Sequence, residues 1–402
     1  MPPEPWSPEG SIGSDRRAAR KLLEIAAPGQ PGRQNASGAE KMGQVGSLPD
    51  GSELKEPEEK VSPSTLVNAN FGLVFVKPHA HKPDCIEFVK DELSKKVNIL
   101  GGCSIGADAI KEGNIVDKHY AAIADASENG VEGLKPTAEA KEKFQEAFGC
   151  NYDDMVAAEC IKSASACALQ LGKGGDPMPP KDLNNLWTTC GATVKIASGV
   201  YVARLKGGDD EEEEEEDSEE EDGGGGGSSS LFCVNGFYPS LKAAYEKDGA
   251  EVHLLVVAWD PARLSWAAFK NDVIGATNPE QANDGSIRKK LLEQWDPLGL
   301  PEQPNGTDNG VHASAGPLEA LKERLLWCGF DLEKDPTGSR LVQLAVWDES
   351  RHPAINELLE NPDVDVAGFK GKAFDLLENK DTPDLYVLAN NVAFKEELAG
   401  VC

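Results

Sequence analysis

Two short apolar runs constrain this chain more than any other feature. Phe71–Val76 contains no polar side chain, and Val252–Trp259 is interrupted only by His253. Runs without polar alternation read as buried strands, so the fold needs a sheet covered by other elements. The first run ends in Lys77-Pro78 and delivers a lysine to its strand tip. Pro83 then opens a helix whose Cys85, Ile86, Phe88, Val89 and Leu93 share one face. Val97–Ile105 reads as a further strand. It leads to a helix that carries His119-Tyr120, with Ile115, Val116, Tyr120 and Ile123 on the buried side. Leu241–Tyr245 and Ala262–Phe269 read as helices, the latter opened by Pro261.

The rest of the 402 residues is uneven in composition, and the net charge is −29. That surface repels nucleic acid and argues against DNA or RNA as a partner. Part of the excess is local, because Asp209–Asp222 is nearly continuous acid followed by glycines and serines. Residues 207–230 therefore read as a solvated, flexible acidic loop. Residues 1–68 carry too little apolar surface to offset ordering entropy and read as disordered, with one short helical candidate at Arg17–Ala27. Nine cysteines without paired C-x-x-C spacing argue against a disulfide framework or structural zinc, and Cys103, Cys167 and Cys190 read as packing thiols. No stretch approaches the roughly 20 apolar residues of a membrane span. The start, Met1-Pro2-Pro3-Glu4-Pro5-Trp6, lacks a secretory core, so the expected compartment is the cytoplasm, with a cilium or flagellum as the alternative.

Chemistry concentrates near residue 312. Asn309-Gly310-Val311-His312-Ala313-Ser314 places a histidine behind an amide and ahead of a hydroxyl, and Pro317 suits the first turn of a helix bearing Leu318, Leu321, Leu325 and Leu326. Glu323 falls on that helix about three turns beyond His312, where a carboxylate can fold back to one ring nitrogen. Upstream, Gly275-Ala276-Thr277-Asn278-Pro279 and Gly285-Ser286-Ile287-Arg288 form a turn-rich loop with a hydroxyl and a guanidinium. Together with Lys77, these groups are an inventory for holding a polyphosphate around a nucleophile. His253 and His352 read as structural or exposed, and His119 as a packing histidine.

In order and local wording these segments resemble the nucleoside diphosphate kinase family. Lys77 matches the family's phosphate-binding lysine, His119-Tyr120 its helix-borne pair, and Phe237 with Pro239 its base-stacking aromatic. Thr277 and Arg288 match phosphate contacts, Asn309 the sugar- and phosphate-side asparagine, and His312 the nucleophile flanked by Ser314 and Glu323. Trp327 closes the following helix as the family's tryptophan does. The resemblance implies a ferredoxin-like four-stranded antiparallel sheet covered by helices, an α/β sandwich spanning 69–328. It also implies γ-phosphoryl transfer from ATP or another nucleoside triphosphate to a nucleoside diphosphate through phospho-His312. Lys77, Tyr120, Ser314 and Glu323 would assist, and Lys77, Phe237, Thr277, Arg288 and Asn309 would bind the nucleotide. Mg2+ would arrive on the nucleotide with no metal cage in the protein, and a homo-oligomer is implied.

The chain also departs from the family. Asn271 stands where a second arginine is expected, with Lys270 beside it as a weaker point charge. Ala313 replaces glycine, Ala315 an acid, and His79 an aspartate. An insertion of domain size, 124–232, separates the His-Tyr helix from Phe237. Within it Thr137–Gly149 and Tyr152–Leu171 read as helices, and Val194–Ala197 with Val200–Leu205 as a hairpin about Ser198-Gly199 that continues into Leu231–Val234. Gly172-Lys173-Gly174-Gly175 lacks the second element of a phosphate loop. Residues 329–402 read as a helical extension in which Leu358-Leu359-Glu360-Asn361 and Leu376-Leu377-Glu378-Asn379 echo each other. The alternative to a working kinase is a weak or inactive nucleotide-binding scaffold of the same fold, for example in a ciliary or cytoskeletal assembly.

Overall fold

The computed structural model describes residues 68–205, 231–345, 351–366 and 368–399. The disordered reading of 1–67, the Arg17–Ala27 helix and the acidic loop lie outside the described residues. Among the described residues the strands are β1 Asn70–Val76, β2 Asn98–Gly106, β3 Ile161–Ser163, β4 Thr193–Ala197, β5 Val200–Leu205, β6 Leu231–Val234, β7 Glu251–Trp259, β8 Val311–Ala313, β9 Asp363–Val366 and β10 Phe369–Lys372. The chain is a mixed α/β protein of antiparallel sheets and many helices. It divides into two compact units, one built from residues up to Ser104 and from His253 onward, the other from Ile105–Val252.

In the first unit the sheet order is β2-β7-β1-β8. β1 is central and runs antiparallel to both β7 and β8, with Val74 opposite Leu255 and Phe75 opposite His312. Every residue of β1 is buried, which is why its sequence does not alternate. Val74, Val76, Leu255 and Val257 meet Cys85, Val89 and Leu93 of helix Pro83–Ser94 and the rings of Trp266 and Phe269. Each fully buried side chain of this size contributes about 1.5–3 kcal/mol of burial free energy.

Helix Pro317–Cys328 is buried on two sides. Leu318 and Leu321 face Leu341, Ile355, Leu358, Leu377 and Leu385 of the C-terminal extension. Trp327 lies against Phe75 with ring centroids 4.8 Å apart. Arg324 and Asp335 form a wholly buried ion pair at 2.7 Å, and Arg324 also donates to Thr337 and to the Phe71 carbonyl. The extension is not purely helical: β9 and β10 pair as an antiparallel hairpin between helices. The two echoing Leu-Leu-Glu-Asn segments are helix ends, since Asn361 and Asn379 take left-handed conformations with φ 56° and 61° just past Arg351–Leu359 and Ala373–Leu377. Asparagine tolerates that geometry, and one such residue stops a helix.

Pro261 does not open a helix. Asp260 forms a tight turn instead, and Ser265 caps the segment at Ala268 before a π-helical turn, Phe269–Ile274, carries the chain to Gly275.

The second unit has its own sheet, β3-β6-β5-β4. The expected helix Tyr152–Leu171 is broken into Tyr152–Ala157, strand β3 and Ala164–Leu171. Glu159, with φ 54°, turns the chain so that β3 can pair in parallel with β6, a partner about 70 residues away that no local pattern announces. Alternation in β5 divides two cores: Val202 points to Phe144, Phe148 and Phe232, and Ala203 to Cys167, Leu183 and Trp187. The chain enters and leaves this unit at one place, where the Ala107 N–H donates to the Ala250 carbonyl at 2.9 Å.

Candidate functional site

The candidate site lies at the end of β1 and β8 in the first unit. Short strand β8 lays His312 beside Phe75, and the rings stack at 4.5 Å with an interplanar angle of 19°. Helix Pro317–Cys328 brings Glu323 back beneath the ring. Its Oε1 lies 2.7 Å from His312 Nε2 and its Oε2 2.5 Å from the Ser314 hydroxyl. A carboxylate only accepts, so this bond assigns the proton to Nε2 and makes Nδ1 the basic nitrogen. Ser314 is fixed in turn by β1, its Oγ accepting from the Leu73 N–H at 3.0 Å. Glu323 is 3% exposed, and its charge therefore acts in a low-dielectric setting.

The cationic side is built by three segments. Lys77 follows β1, its backbone N–H bonded to the Gly310 carbonyl and its Nζ 3.2 Å from the Thr307 carbonyl. Burial first, and the nearby Arg288 guanidinium second, pull the Lys77 pKa down to about 7, against the opposing pull of Asp308. Arg288 rises from helix Ile287–Glu293, whose Ser286 cap and Lys290–Glu92 ion pair fix its position. The guanidinium donates to the carbonyls of Gly275 and Val311 at 2.8 Å, one residue from His312. Asn309 donates to the Thr277 carbonyl at 3.0 Å, while its Oδ1 is buried and has no partner among the described residues. Thr277 itself is exposed.

One residue outside the expected set helps to hold this loop. His79, where the family resemblance implies an aspartate, accepts from the Gly310 N–H at 3.0 Å through Nε2 and faces Asp308 with Nδ1 at 3.3 Å. Desolvation lowers its pKa to about 4, so it is a neutral clamp and not a phosphate-binding cation. Gly310 needs its lack of a side chain: φ is 84°, and a Cβ would meet Leu291 at 2.5 Å. Glu319 sits one helical turn before Glu323 and is half-buried, on a helix that also carries Lys322 and Arg324. Lys270, expected as a stand-in for the missing arginine, is instead ion-paired to Glu378 of the extension.

The site thus gathers Lys77, Thr277, Arg288, Asn309, His312, Ser314 and Glu323. Tyr120 and Phe237 belong to the second unit. There the Tyr120 ring meets His119 edge-on at 4.3 Å and Tyr238 at 6.5 Å. Phe237 is half-buried at the start of helix Tyr238–Glu246, 5.6 Å from Trp187 and 6.4 Å from Tyr201.

No protein-family profile matches the chain, and no curated protein matches it. Among solved structures, an NDP kinase from Pyrobaculum aerophilum aligns over 66% of this chain and 98% of its own, at 13% identity and a TM-score of 0.26. A likeness that loose leaves the chemistry to the side chains themselves. No described helix is long and apolar enough to cross a membrane.

Proposed function

We propose that the chain is a nucleoside diphosphate kinase acting through His312. The observation that carries this reading is the His312 Nε2 to Glu323 bond of 2.7 Å on a strand end that also holds Lys77 and Arg288. With the proton on Nε2, the Nδ1 lone pair attacks the γ-phosphorus, the bond to the bridging oxygen breaks, and the diphosphate leaves with that electron pair. Glu323 stabilises the positive charge that grows on the ring, and Lys77 and Arg288 stabilise charge on the phosphoryl oxygens. An acceptor diphosphate then reverses the step. The orphan Oδ1 of Asn309 is an acceptor suited to a sugar hydroxyl, which favours a nucleotide over a bare polyphosphate. Magnesium would come on the nucleotide. The order β2-β7-β1-β8 supports reading the sheet as ferredoxin-like, interrupted between β2 and β7 by a domain-sized insertion.

A second reading, nucleotide binding with little turnover, draws on Lys270. Its pairing with Glu378, together with Asn271, leaves the phosphate side short of one cation. One experiment separates the two. Protein mixed with γ-labelled ATP is expected to take up acid-labile, alkali-stable label that His312→Ala abolishes. Absence of label on the wild type, with ATP bound, would leave the binding reading alone.

A further inference from the structure

Between helix Ile287–Glu293 and the strand end at Asn309 the chain makes a detour whose two halves are held differently. Its root is apolar: Leu300 is buried in one core with Val76 and Ala80, and Trp295 and Leu298 pack against the same cluster. Its tip is polar, and Asn305, Gly306, Thr307 and Asp308 are all exposed. Hydrogen bonds shape that tip. The Asn305 side-chain oxygen accepts from the Thr307 and Asp308 N–H groups at 2.9 and 3.0 Å, and the Asn305 N–H donates to the Asp308 carbonyl at 3.1 Å. The turn so closed aims the Thr307 carbonyl at Lys77, which donates to it at 3.2 Å, while the Asp308 carboxylate meets His79 Nδ1 at 3.3 Å.

We propose that the tip 305–308 is an internal competitor of the nucleotide: the Thr307 carbonyl stands in for a phosphate oxygen at Lys77, and binding exchanges one acceptor for the other. The inference rests on the reading of Lys77 as a phosphate-binding cation. The tip offers that ammonium the two things a phosphate offers, an oxygen acceptor and, from Asp308, a negative charge close by. In the ligand-free chain it thereby satisfies a half-buried ammonium that would otherwise lack this acceptor. A charged phosphate oxygen is the stronger acceptor, so the exchange runs toward the ligand. Moving the tip uncovers little apolar surface, and the buried root at Leu300 keeps it within reach for return. The consequence is a weakened apparent affinity, because only the fraction of chains with the tip withdrawn accepts the ligand.

The test uses the full chain and calorimetry of magnesium ADP, which has no γ-phosphoryl group to transfer. Asn305→Ala removes the oxygen that shapes the tip without changing any charge, and it is expected to tighten ADP binding about 3- to 10-fold. In a Lys77→Met background the same substitution is expected to change nothing, since the contested ammonium is gone. Binding by Asn305→Ala no tighter than the wild type overturns the proposal, and so does a tightening that persists without Lys77. Should Asn305→Ala fail to fold, hydrogen exchange on the wild type decides. Peptides spanning 301–308 are expected to exchange faster with ADP at saturation, and unchanged or slower exchange counts against the idea. The kinase reading fails separately: absence of label from γ-labelled ATP, with ADP binding still tightened by Asn305→Ala, ends phosphoryl transfer and leaves the competition standing. Label with no tightening does the reverse.

Discussion

At Lys77, burial and the Arg288 guanidinium act in the same direction and lower the pKa to about 7, so the proposed phosphate binding would be coupled to a proton. Below that value the ammonium meets an incoming phosphate already charged. Above it, binding must draw a proton from solvent. Calorimetry of ATP binding at about pH 8, in two buffers of different ionisation heat, is expected to show uptake approaching one proton, falling away by about pH 6. Lys77→Met should remove that coupling and weaken binding about 10- to 100-fold, the loss of a charged hydrogen bond. Uptake that persists in the variant would place the proton elsewhere. Stability follows the same shift with a definite sign. The folded pKa lies below the unfolded value of 10.5, so the unfolded chain binds more protons between the two, and the ligand-free protein gains stability as pH rises through that window. Lys77, Arg288, Asn309 and His312 were legible because each sits in short local wording, a strand tip, a capped helix start or a turn. His79 was not: what it does depends on Gly310 and Asp308, which only folding brings against it.

At the scale of the element, helix Pro317–Cys328 ties the site to the C-terminal extension. Its Arg324 is wholly buried, and Asp335 is the carboxylate that compensates it. Asp335→Ala is expected to cost about 3–5 kcal/mol, read from urea unfolding, because a guanidinium would be left uncompensated in the core. Replacing both residues by apolar ones should restore much of that loss; failure to do so would mean that the pair contributes more than charge neutrality. At the turn into the helix, Gly316 is in extended backbone and needs no special φ, but a Cβ there would meet the Leu377 carbonyl at 2.3 Å. Gly316→Ala should therefore loosen the Asn379 to Ala315 backbone bond and expose amides near Asn379 to hydrogen exchange sooner than in the wild type. Helix positions were readable from Pro83, Pro317 and apolar spacing. The break at Glu159 and the late start at Ser265 were not, because long-range pairing and a side-chain cap overrode local propensity.

For the whole molecule, the backbone bond between Ala107 and Ala250 means that 142 intervening residues, 108–249, begin and end at neighbouring points. Replacing them by a short glycine-serine linker is expected to leave a protein that melts cooperatively, since β1, β7 and β8 and their covering helices lie in the remainder. A non-cooperative melt would show that the remainder cannot fold without them. The sequence by itself determined the central strands, the opening of the helix after each proline just named, and the lysine, arginine, asparagine and histidine that meet at the candidate site, because burial on both faces and local turn chemistry are written in consecutive residues. Only the tertiary structure decided the strand order, the docking of the extension on the Ala315-Gly316 turn and the approach of His79 to Gly310. Those depend on contacts between segments tens to hundreds of residues apart, whose geometry is fixed by packing and not by any local pattern.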